Sequence, residues 1–241
     1  MAMKTLCIDV GGTGLKMEVF DETGTAVTQR ARLETPRPAT PQAVLDVLRR
    51  LIVTQGEFDR ISVGFPGVVV DGVTKTAPNL DKSWHDFDLA GELQRITGKP
   101  AKVLNDADVQ GYGDIEGRGV EMVLTFGTGV GAAVYVDGTL LPNLELGHAP
   151  FQNNLTYEGY LGDAALKKVG HKKWRKRVRE VVDQLEPIWN YRVLYLGGGN
   201  SRLLRPEDLP ANVHISPNSA GITGGLRLWD QRLPALQAKS A

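Results

Sequence analysis

The feature that most constrains the fold of this chain is a strand–glycine loop–strand pattern that occurs twice in its 241 residues. Gly-Thr-Gly at 12–14 recurs at 127–129, an offset of 115 residues, which is about half the chain. The residues that align without gaps around the two loops are Ile8, Leu15, Val19 and Phe20 with Val123, Val130, Val134 and Tyr135. Alternating hydrophobic residues beside a tight glycine turn are typical of a β-hairpin.

The repeat has two interpretations. Glycine hairpins are common, and two of them can resemble each other by chance. Alternatively, the chain is a duplicated αβ unit whose two lobes face each other across a cleft, where small-molecule sites prefer to form. On the second interpretation, we predict an α/β fold with an N-terminal α/β lobe at 1–104 and a C-terminal α/β lobe at 105–241. The last helix can pack back on the N-terminal lobe.

Hydrophobic spacing predicts the elements between the two hairpins. A third strand is predicted at Val27–Leu33, and a helix with a period of 3.6 residues begins at Pro41, which suits a first turn. A short buried strand follows at Ile61–Phe65, and a second helix at Leu89–Ile96. Val103-Leu104 then forms a strand that ends at a helix N-terminus.

The composition excludes several classes of protein. Lys+Arg and Asp+Glu are equal at 28 each, so no net field indicates a nucleic-acid or membrane partner. Cys7 is the single cysteine, which excludes an internal disulfide and a zinc site built on several thiolates. No apolar run is long enough to span a bilayer, and Asp9 interrupts the short apolar start too early for a signal peptide. We expect a soluble cytoplasmic protein.

The first glycine loop has the chemistry of a phosphate site. Residues 9–16 differ from a Walker A motif, which leads into a helix, because these glycines lie between strands. Backbone N–H groups without a neighbouring Cβ can approach a phosphate closely, and a hydroxyl adds a donor. A carboxylate placed here can hold Mg²⁺, directly or through water. The candidate residues are Asp9 (for Mg²⁺), Gly11, Gly12, Thr13, Gly14 and Lys16. Most glycine hairpins are only hairpins, but a second loop with Thr128 and Gly129 would grip a triphosphate from both sides.

Two further groups of polar residues are candidates for binding and catalysis. Asn105-Asp106 lies where a strand meets a helix, so capping explains these residues as well as catalysis does. Phosphoryl transfer to a hydroxyl needs one carboxylate that accepts the hydroxyl proton. Glu145, His148 and Glu158 could bind vicinal hydroxyls, because carboxylates are strong acceptors. A lone histidine is more often structural than a ligand.

Together these motifs resemble the ROK family (repressors, open reading frames, kinases), and within it the polyphosphate/ATP glucokinases. The segments that carry the resemblance are 9–16, Phe65-Pro66-Gly67, 76–80, 104–108, 124–129, Glu145-Leu146-Gly147-His148 and 196–199. The resemblance implies an actin-like ATPase (ribonuclease H-like) fold and a hexose kinase that phosphorylates the 6-hydroxyl of glucose. It further implies ATP or polyphosphate as the phosphoryl donor, Mg²⁺ as the cofactor and a homodimer.

The resemblance also assigns roles to residues of this chain. Asp106 resembles the catalytic base. The implied sugar contacts are Asn105, Asp106, Glu145, His148, Glu158 and, from a separate motif, Asn79. The two Gly-Thr-Gly loops resemble phosphate clamps, and Gly197, Gly198 and Gly199 resemble the nucleoside-binding turn.

The chain departs from the family pattern in three places. Many relatives carry a cysteine-rich zinc motif after the Gly-His element, whereas this chain has no cysteine there, so we expect His148 to bind no metal. Segment 149–162 is irregular against the pattern. The first strand begins within ten residues of the start, so we expect no helix-turn-helix before it. A kinase for another hexose or an amino sugar, and a non-catalytic sugar-binding protein of the same family, remain alternatives.

A basic segment, residues 167–179, concentrates positive charge. It holds eight Lys or Arg residues and no acid, while the rest of the chain has more acidic than basic residues. Helical spacing predicts one buried face, formed by Trp174, Val178, Val181, Val182 and Leu185. The remaining charge is usually a solvated face. Alternatively, Lys172, Lys173 and Lys176 guide a polyphosphate chain toward the glycine loops.

Overall fold

The computed structural model describes residues 2–217 and 220–229. The chain divides into two compact units. The first unit is discontinuous: it comprises the chain up to Gly113 and again from Gly221. The second unit is Asp114–Ala220. Helix Asp106–Asp114, which the predicted limit at 104 and 105 assigns to the second lobe, packs with the first unit as far as Gly113.

The first unit is built on a five-stranded mixed sheet. The strands are β1 (Thr5–Val10), β2 (Gly14–Phe20), β3 (Ala31–Glu34), β4 (Arg60–Phe65), β5 (Val69–Val70), β6 (Val73–Thr74), β7 (Phe87–Asp88) and β8 (Ala101–Asn105). The helices of this part are α1 (Pro41–Ile52), α2 (Leu89–Thr97) and α3 (Asp106–Asp114). The large sheet has the order β3-β2-β1-β4-β8, and β5, β6 and β7 form a small antiparallel sheet.

The second unit repeats the same sheet. Its strands are β9 (Val120–Phe126), β10 (Val130–Val136), β11 (Thr139–Leu141), β12 (Val193–Gly197) and β13 (Val213–Ile215), and its helices are α4 (Tyr157–Leu161) and α5 (Asp163–Trp189). The strand order is β11-β10-β9-β12-β13. In both sheets the first two pairings in this order are antiparallel, and the last two pairings are parallel. The predicted duplication of an αβ unit therefore extends over the whole sheet.

The gap-free alignment of the two hairpins is wrong by one residue in its first strand. Residues 11–14 connect the paired ends of β1 and β2, whereas only 127–129 connect β9 and β10. The core-facing residues are Leu6, Ile8 and Val10 in β1, and Met122, Leu124 and Phe126 in β9. Because successive side chains point to opposite faces, the shorter loop shifts the correspondence. Ile8 therefore matches Leu124 and not Val123.

Hydrophobic periodicity identifies the main helices well. Helix α1 begins at Pro41 as predicted, with the Thr40 hydroxyl accepting from the Ala43 N–H at 3.3 Å. Its stripe of Val44, Leu45 and Leu48 is buried against the first sheet. The predicted stripe of the basic segment is buried in the second core, with Trp174 fully enclosed.

Two predicted elements differ from the structure. The strand expected at Val27–Leu33 is β3, which begins only at Ala31 and is preceded by an isolated bridge between Phe20 and Ala26. Helix α5 is interrupted at Gly170, whose φ of 74° is a conformation that glycine adopts without strain. None of the helices in the described ranges is both long enough and apolar enough to cross a bilayer.

Helix α6 (Ala220–Arg227) packs against the elements that hold Asn105-Asp106. Ser62 Oγ donates to the Gly225 carbonyl at 2.6 Å, and Lys102 Nζ donates to the Leu228 carbonyl at 2.7 Å. Gly224 lies so close to α3 that a Cβ there would overlap the Val109 carbonyl. The helix therefore supports α3 from within the first unit.

Candidate functional site

The first glycine loop, residues 11–14, connects β1 to β2. The Gly11 N–H donates to the Gly14 carbonyl at 3.0 Å, and a Cβ on Gly11 would lie 2.8 Å from that oxygen. Asp9 and Lys16 face each other across the hairpin and form an ion pair of 2.8 Å. The structure thus places a partly exposed carboxylate and an ammonium beside a loop of backbone N–H groups. Such a loop can receive an anion.

Sequence reasoning missed two arginines beside this loop. Arg37 Nη2 donates to the Gly12 carbonyl at 2.9 Å. Arg32 pairs across the strands with Lys16, and its Nε would lie 3.0 Å from a Cβ on Gly14. The register between β2 and β3 could have identified Arg32, because it pairs Arg32 with Lys16. The two guanidinium groups add positive charge beside the first glycine loop.

Asn79 lies against the first glycine loop. Its Cβ would be 3.3 Å from a Cβ on Gly12, so the glycine leaves room for it. The structure therefore brings Asn79 next to the predicted phosphate-binding residues of the same unit.

Asn105 and Asp106 lie where β8 ends and α3 begins. Asn105 Oδ1 accepts from the N–H groups of Ala107 at 2.8 Å and Asp108 at 3.4 Å, so Asn105 caps the helix. Its Nδ2 donates to the Gly67 carbonyl at 3.2 Å, which leaves one amide N–H for a ligand. Asp106 Oδ1 also accepts from Ala107 N–H, at 2.8 Å. Asn105 and Asp106 therefore both accept from backbone N–H groups in the first turn of α3.

The second glycine loop, residues 127–129, is held by two segments of the second unit. The Asp163 N–H, at the start of α5, lies 3.1 Å from the Gly127 carbonyl and 3.4 Å from that of Thr128. The Asn200 N–H donates to the Phe126 carbonyl at 2.9 Å. The sequence analysis did not single out Asp163 or Asn200, whose backbone N–H groups make these contacts.

The turn after β12 packs directly on the second glycine loop. Gly198 has a φ of 80°, and a Cβ there would overlap the backbone of Phe126. Gly199 has no atom within 4 Å of such a Cβ. The turn at 197–199 therefore lies beside Phe126, the residue that precedes the second glycine loop.

Glu145, His148 and Glu158 converge in the second unit. Glu145 Oε2 lies 3.7 Å from His148 Nδ1. Desolvation raises the pKa of the Glu145 carboxyl. The nearby His148 lowers this pKa, and the charge of Glu158 raises it further. Glu158 Oε2 accepts from the Val130 N–H at 3.3 Å, directly after the second glycine loop. A carboxylate pair with an imidazole at one edge is suited to binding several hydroxyl groups.

Segment 149–162, where the sequence is irregular, folds around an aromatic cluster of Phe151, Tyr157 and Tyr160. The Phe151 ring centroid lies 4.7 Å from that of Tyr157 and 4.9 Å from that of Tyr160. The Tyr160 hydroxyl donates to Glu180 at 2.5 Å. In the described part of the chain, no three His, Cys, Asp or Glu side chains are grouped as metal ligands.

The basic segment separates its arginines from its lysines. Arg175, Arg177 and Arg179 bond within the unit, to the carbonyls of Leu203, Tyr160 and Asp208 respectively. The residues Lys168, His171, Lys172, Lys173 and Lys176 are exposed and form no ion pair in the described residues. Helix α5 starts at the second glycine loop, and most of this charge follows its interruption at Gly170.

Comparison with known proteins gives consistent results. A family model described as "ROK family" matches residues 5–168. The polyphosphate glucokinase of Mycobacterium tuberculosis is 35% identical over 233 residues, which cover 90% of this chain and 88% of that protein. The crystal structure of an inorganic polyphosphate/ATP-glucomannokinase from Arthrobacter sp. strain KM is similar with a TM-score of 0.83 and 30% identity, over 93% of this chain and 97% of that one.

A more distant structure shares the fold. It is a ROK family glucokinase from Streptomyces griseus in complex with glucose and AMPPNP, with a TM-score of 0.75 and 19% identity, over 93% of this chain and 98% of that one. The similarities confirm the fold class predicted from the sequence.

Proposed function

This chain belongs to the ROK family, and we propose that it is a hexose kinase that transfers a phosphoryl group from inorganic polyphosphate or ATP to the 6-hydroxyl of glucose. The observation that carries the proposal is the similarity along nearly the whole chain to a polyphosphate glucokinase and a polyphosphate/ATP-glucomannokinase. Within each unit, some of the predicted residues also lie near one another, which supports the proposal: Asp9 pairs with Lys16 in the first unit, and Glu145 lies near His148 in the second.

Asp106 is the proposed catalytic base. Its carboxylate would accept the proton of the sugar 6-hydroxyl as the oxygen attacks the terminal phosphorus of the donor, whose bond to the leaving phosphate oxygen breaks. Asn105 fixes the first turn of α3 and so positions Asp106. Its remaining amide N–H, together with Asn79, is available to contact substrate.

Glu145, His148 and Glu158 are the proposed contacts with the other sugar hydroxyls. Carboxylates accept two hydroxyl groups each, and the imidazole can donate or accept. A site of this kind disfavours molecules that lack the matching hydroxyls, because the polar groups that the bound molecule covers would be left without partners. The roles assigned to these residues extend the proposal from reaction type to sugar recognition.

The two glycine loops are the proposed phosphate contacts, and the turn at 197–199 the contact with the nucleoside of ATP. Asp9 fits a Mg²⁺ ion, since that ion usually takes one or two carboxylates from the protein and its other ligands from phosphate and water. When bound, Mg²⁺ neutralises charge on the donor phosphates. Lys16 holds the Asp9 carboxylate in place and adds charge to the loop.

A substrate panel tests the proposal. The purified protein is incubated with Mg²⁺ and either ATP or polyphosphate, together with glucose, mannose, fructose, glucosamine or N-acetylmannosamine. We expect sugar phosphate from glucose with at least one donor. Product only from another sugar would select the alternative hexose or amino-sugar kinase. Sugar binding without product from any pair would select the non-catalytic sugar-binding protein.

The raised pKa of Glu145 predicts how glucose affinity depends on pH. Because burial favours the protonated carboxyl, Glu145 gains its proton at a pH above the ordinary value of 4.5 as acid is added. The neutral acid is a weaker acceptor for hydroxyls. Glucose binding is therefore expected to weaken as the pH falls toward this range from neutrality. Calorimetric titrations at several pH values measure it, and Glu145→Gln should bind more weakly at neutral pH and lose this pH dependence.

The metal content of the protein is a separate prediction. We expect no stoichiometric zinc, because the aromatic cluster of Phe151, Tyr157 and Tyr160 fills segment 149–162. Activity should be lost on removal of divalent cations and return with Mg²⁺. Elemental analysis and dialysis against a chelator measure both. One tightly held zinc per chain would contradict the assignment of His148 as a metal-free sugar contact.

The proposal includes a homodimer in the cytoplasm, as the family resemblance implies, with a sugar and a phosphoryl donor as its partners and with neither nucleic acid nor membrane. The balanced charge of the chain supports the last point. Light scattering coupled to size exclusion measures the mass of the particle, which should be about twice the chain mass of 26.2 kDa.

A further inference from the structure

Both elements that carry the proposed sugar contacts touch the backbone of a single residue, Val130. This residue directly follows the second glycine loop and begins β10. Its N–H donates to Glu158 Oε2 at 3.3 Å. Its carbonyl lies against Gly147, in the turn between Glu145 and His148, where a Cβ would overlap the carbonyl oxygen. The backbone of Val130 is thus held from both sides by the sugar-binding elements.

The loop itself is fitted to the same carboxylate. A Cβ on Gly129 would overlap Glu158 Oε2, so alanine there would displace this carboxylate from the Val130 N–H. A Cβ on Gly162, at the end of the helix that carries Glu158, would lie 3.0 Å from the Thr128 carbonyl. Packing this close leaves little freedom for one part to move without the other.

We propose that the backbone of Val130 couples the sugar site to the second glycine loop, with Glu158 and Gly147 as positioning residues for residues 127–129. The inference rests on the proposed function and adds a role for Glu158 beyond contact with the sugar. A sugar that orders Glu145, His148 and Glu158 also orders the second glycine loop. This loop therefore loses less conformational entropy when the donor binds. By linkage, the donor must raise sugar affinity by the same factor.

A spectroscopic experiment tests the coupling without any phosphoryl donor. The full chain, labelled with ¹⁵N-glycine and ¹⁵N-valine, is titrated with glucose alone, and calorimetry gives the glucose Kd. We expect the amide resonances of Gly129 and Val130 to shift along the calorimetric binding curve, while that of Gly56 in the first unit does not. Unmoved resonances at saturating glucose would overturn the coupling alone. Absence of glucose binding would overturn the proposed function and the coupling with it.

A linkage measurement with variants locates the coupling at Val130. The Kd of AMPPNP is measured with and without saturating glucose. In the unaltered protein we expect glucose to lower it about ten-fold, within the usual range of coupling between sites. Gly147→Ala and Gly129→Ala should bring the ratio close to one. Gly159→Ala is the matched control, because a Cβ there makes only ordinary contacts, at 3.5 Å, and should keep the full ratio.

A second pair of variants serves if the glycine variants do not fold. Glu158→Ala removes the acceptor for the Val130 N–H, whereas Glu158→Gln retains an oxygen at that position. The Kd of AMPPNP is again measured without glucose and at a glucose concentration that saturates each variant. We expect the ratio of the two values to be close to one in Glu158→Ala and to return in large part in Glu158→Gln. An undiminished ratio in Gly147→Ala or Glu158→Ala would show that the coupling takes another route.

Discussion

Replacing Asp106 with asparagine is expected to lower turnover by a factor on the order of 10²–10⁴, while the protein keeps its stability and most of its sugar affinity. Asparagine has the shape of aspartate, and its Oδ1 can still accept from the Ala107 N–H in the first turn of α3. What the variant lacks is an acceptor for the hydroxyl proton. Steady-state kinetics with glucose and ATP measure turnover, and calorimetry measures the affinity for glucose.

The matched control for this variant is Asp88→Asn. Asp88 caps α2, with Oδ1 accepting from the Gly91 N–H at 2.8 Å. It is thus an aspartate at a helix N-terminus that has no proposed part in the chemistry. The control should leave turnover unchanged. If Asp106→Asn also keeps near-normal turnover at neutral pH, Asp106 only supports the helix and another group accepts the proton.

Charge reversal of Lys172, Lys173 and Lys176 to glutamate is expected to depress polyphosphate-driven activity on the order of 10-fold to 100-fold and to change ATP-driven activity little. A long polyanion needs a row of cations, and its binding releases counterions, by analogy with nucleic acids. These three lysines are exposed, while the arginines beside them bond within the unit. For the same reason, added salt should raise the KM for polyphosphate more steeply than the KM for ATP.

A triple variant with the same change of charge controls for the altered net charge. Arg50, Lys82 and Lys99 form no ion pair in the described residues, and their reversal to glutamate should affect both donors equally and weakly. Equal loss with both donors in the lysine variant would identify the basic segment as a solvated helix face. If the unaltered protein does not use polyphosphate at all, the basic segment is likewise a solvated helix face.

Local patterns predicted a large part of the fold. The glycine hairpins, the helix at Pro41 and the buried stripe around Trp174 each follow from spacing within a few turns or strands. The offset of the two Gly-Thr-Gly motifs also anticipated two similar units. The offset could not reveal that the second loop is one residue shorter than the first. A one-residue change in loop length changes the face of the sheet to which each residue of the strand points, and the motif itself does not show this change.

The predicted site residues were those with distinctive chemistry in a short motif. Residues that act through long-range contacts were missed. Arg37 reaches Gly12 from 25 residues away, and Arg32 faces Lys16 only through the register of β3. Asn105 was expected to cap a helix or to bind the sugar. The cap is confirmed, whereas the bond from its Nδ2 to the Gly67 carbonyl, 38 residues away, was missed. Such bonds depend on how distant segments pack, which spacing along the chain does not encode.

The identity of the phosphorylated product tests the central claim most directly. The purified protein is incubated with Mg²⁺, ATP or polyphosphate, and ¹³C-labelled glucose, and the product is examined by ³¹P and ¹³C NMR. We predict glucose 6-phosphate as the sole sugar phosphate, and no sugar phosphate from 6-deoxyglucose. Phosphate on a different carbon, or no transfer to glucose from either donor while glucose binds, would contradict the claim that this chain is a glucose 6-kinase.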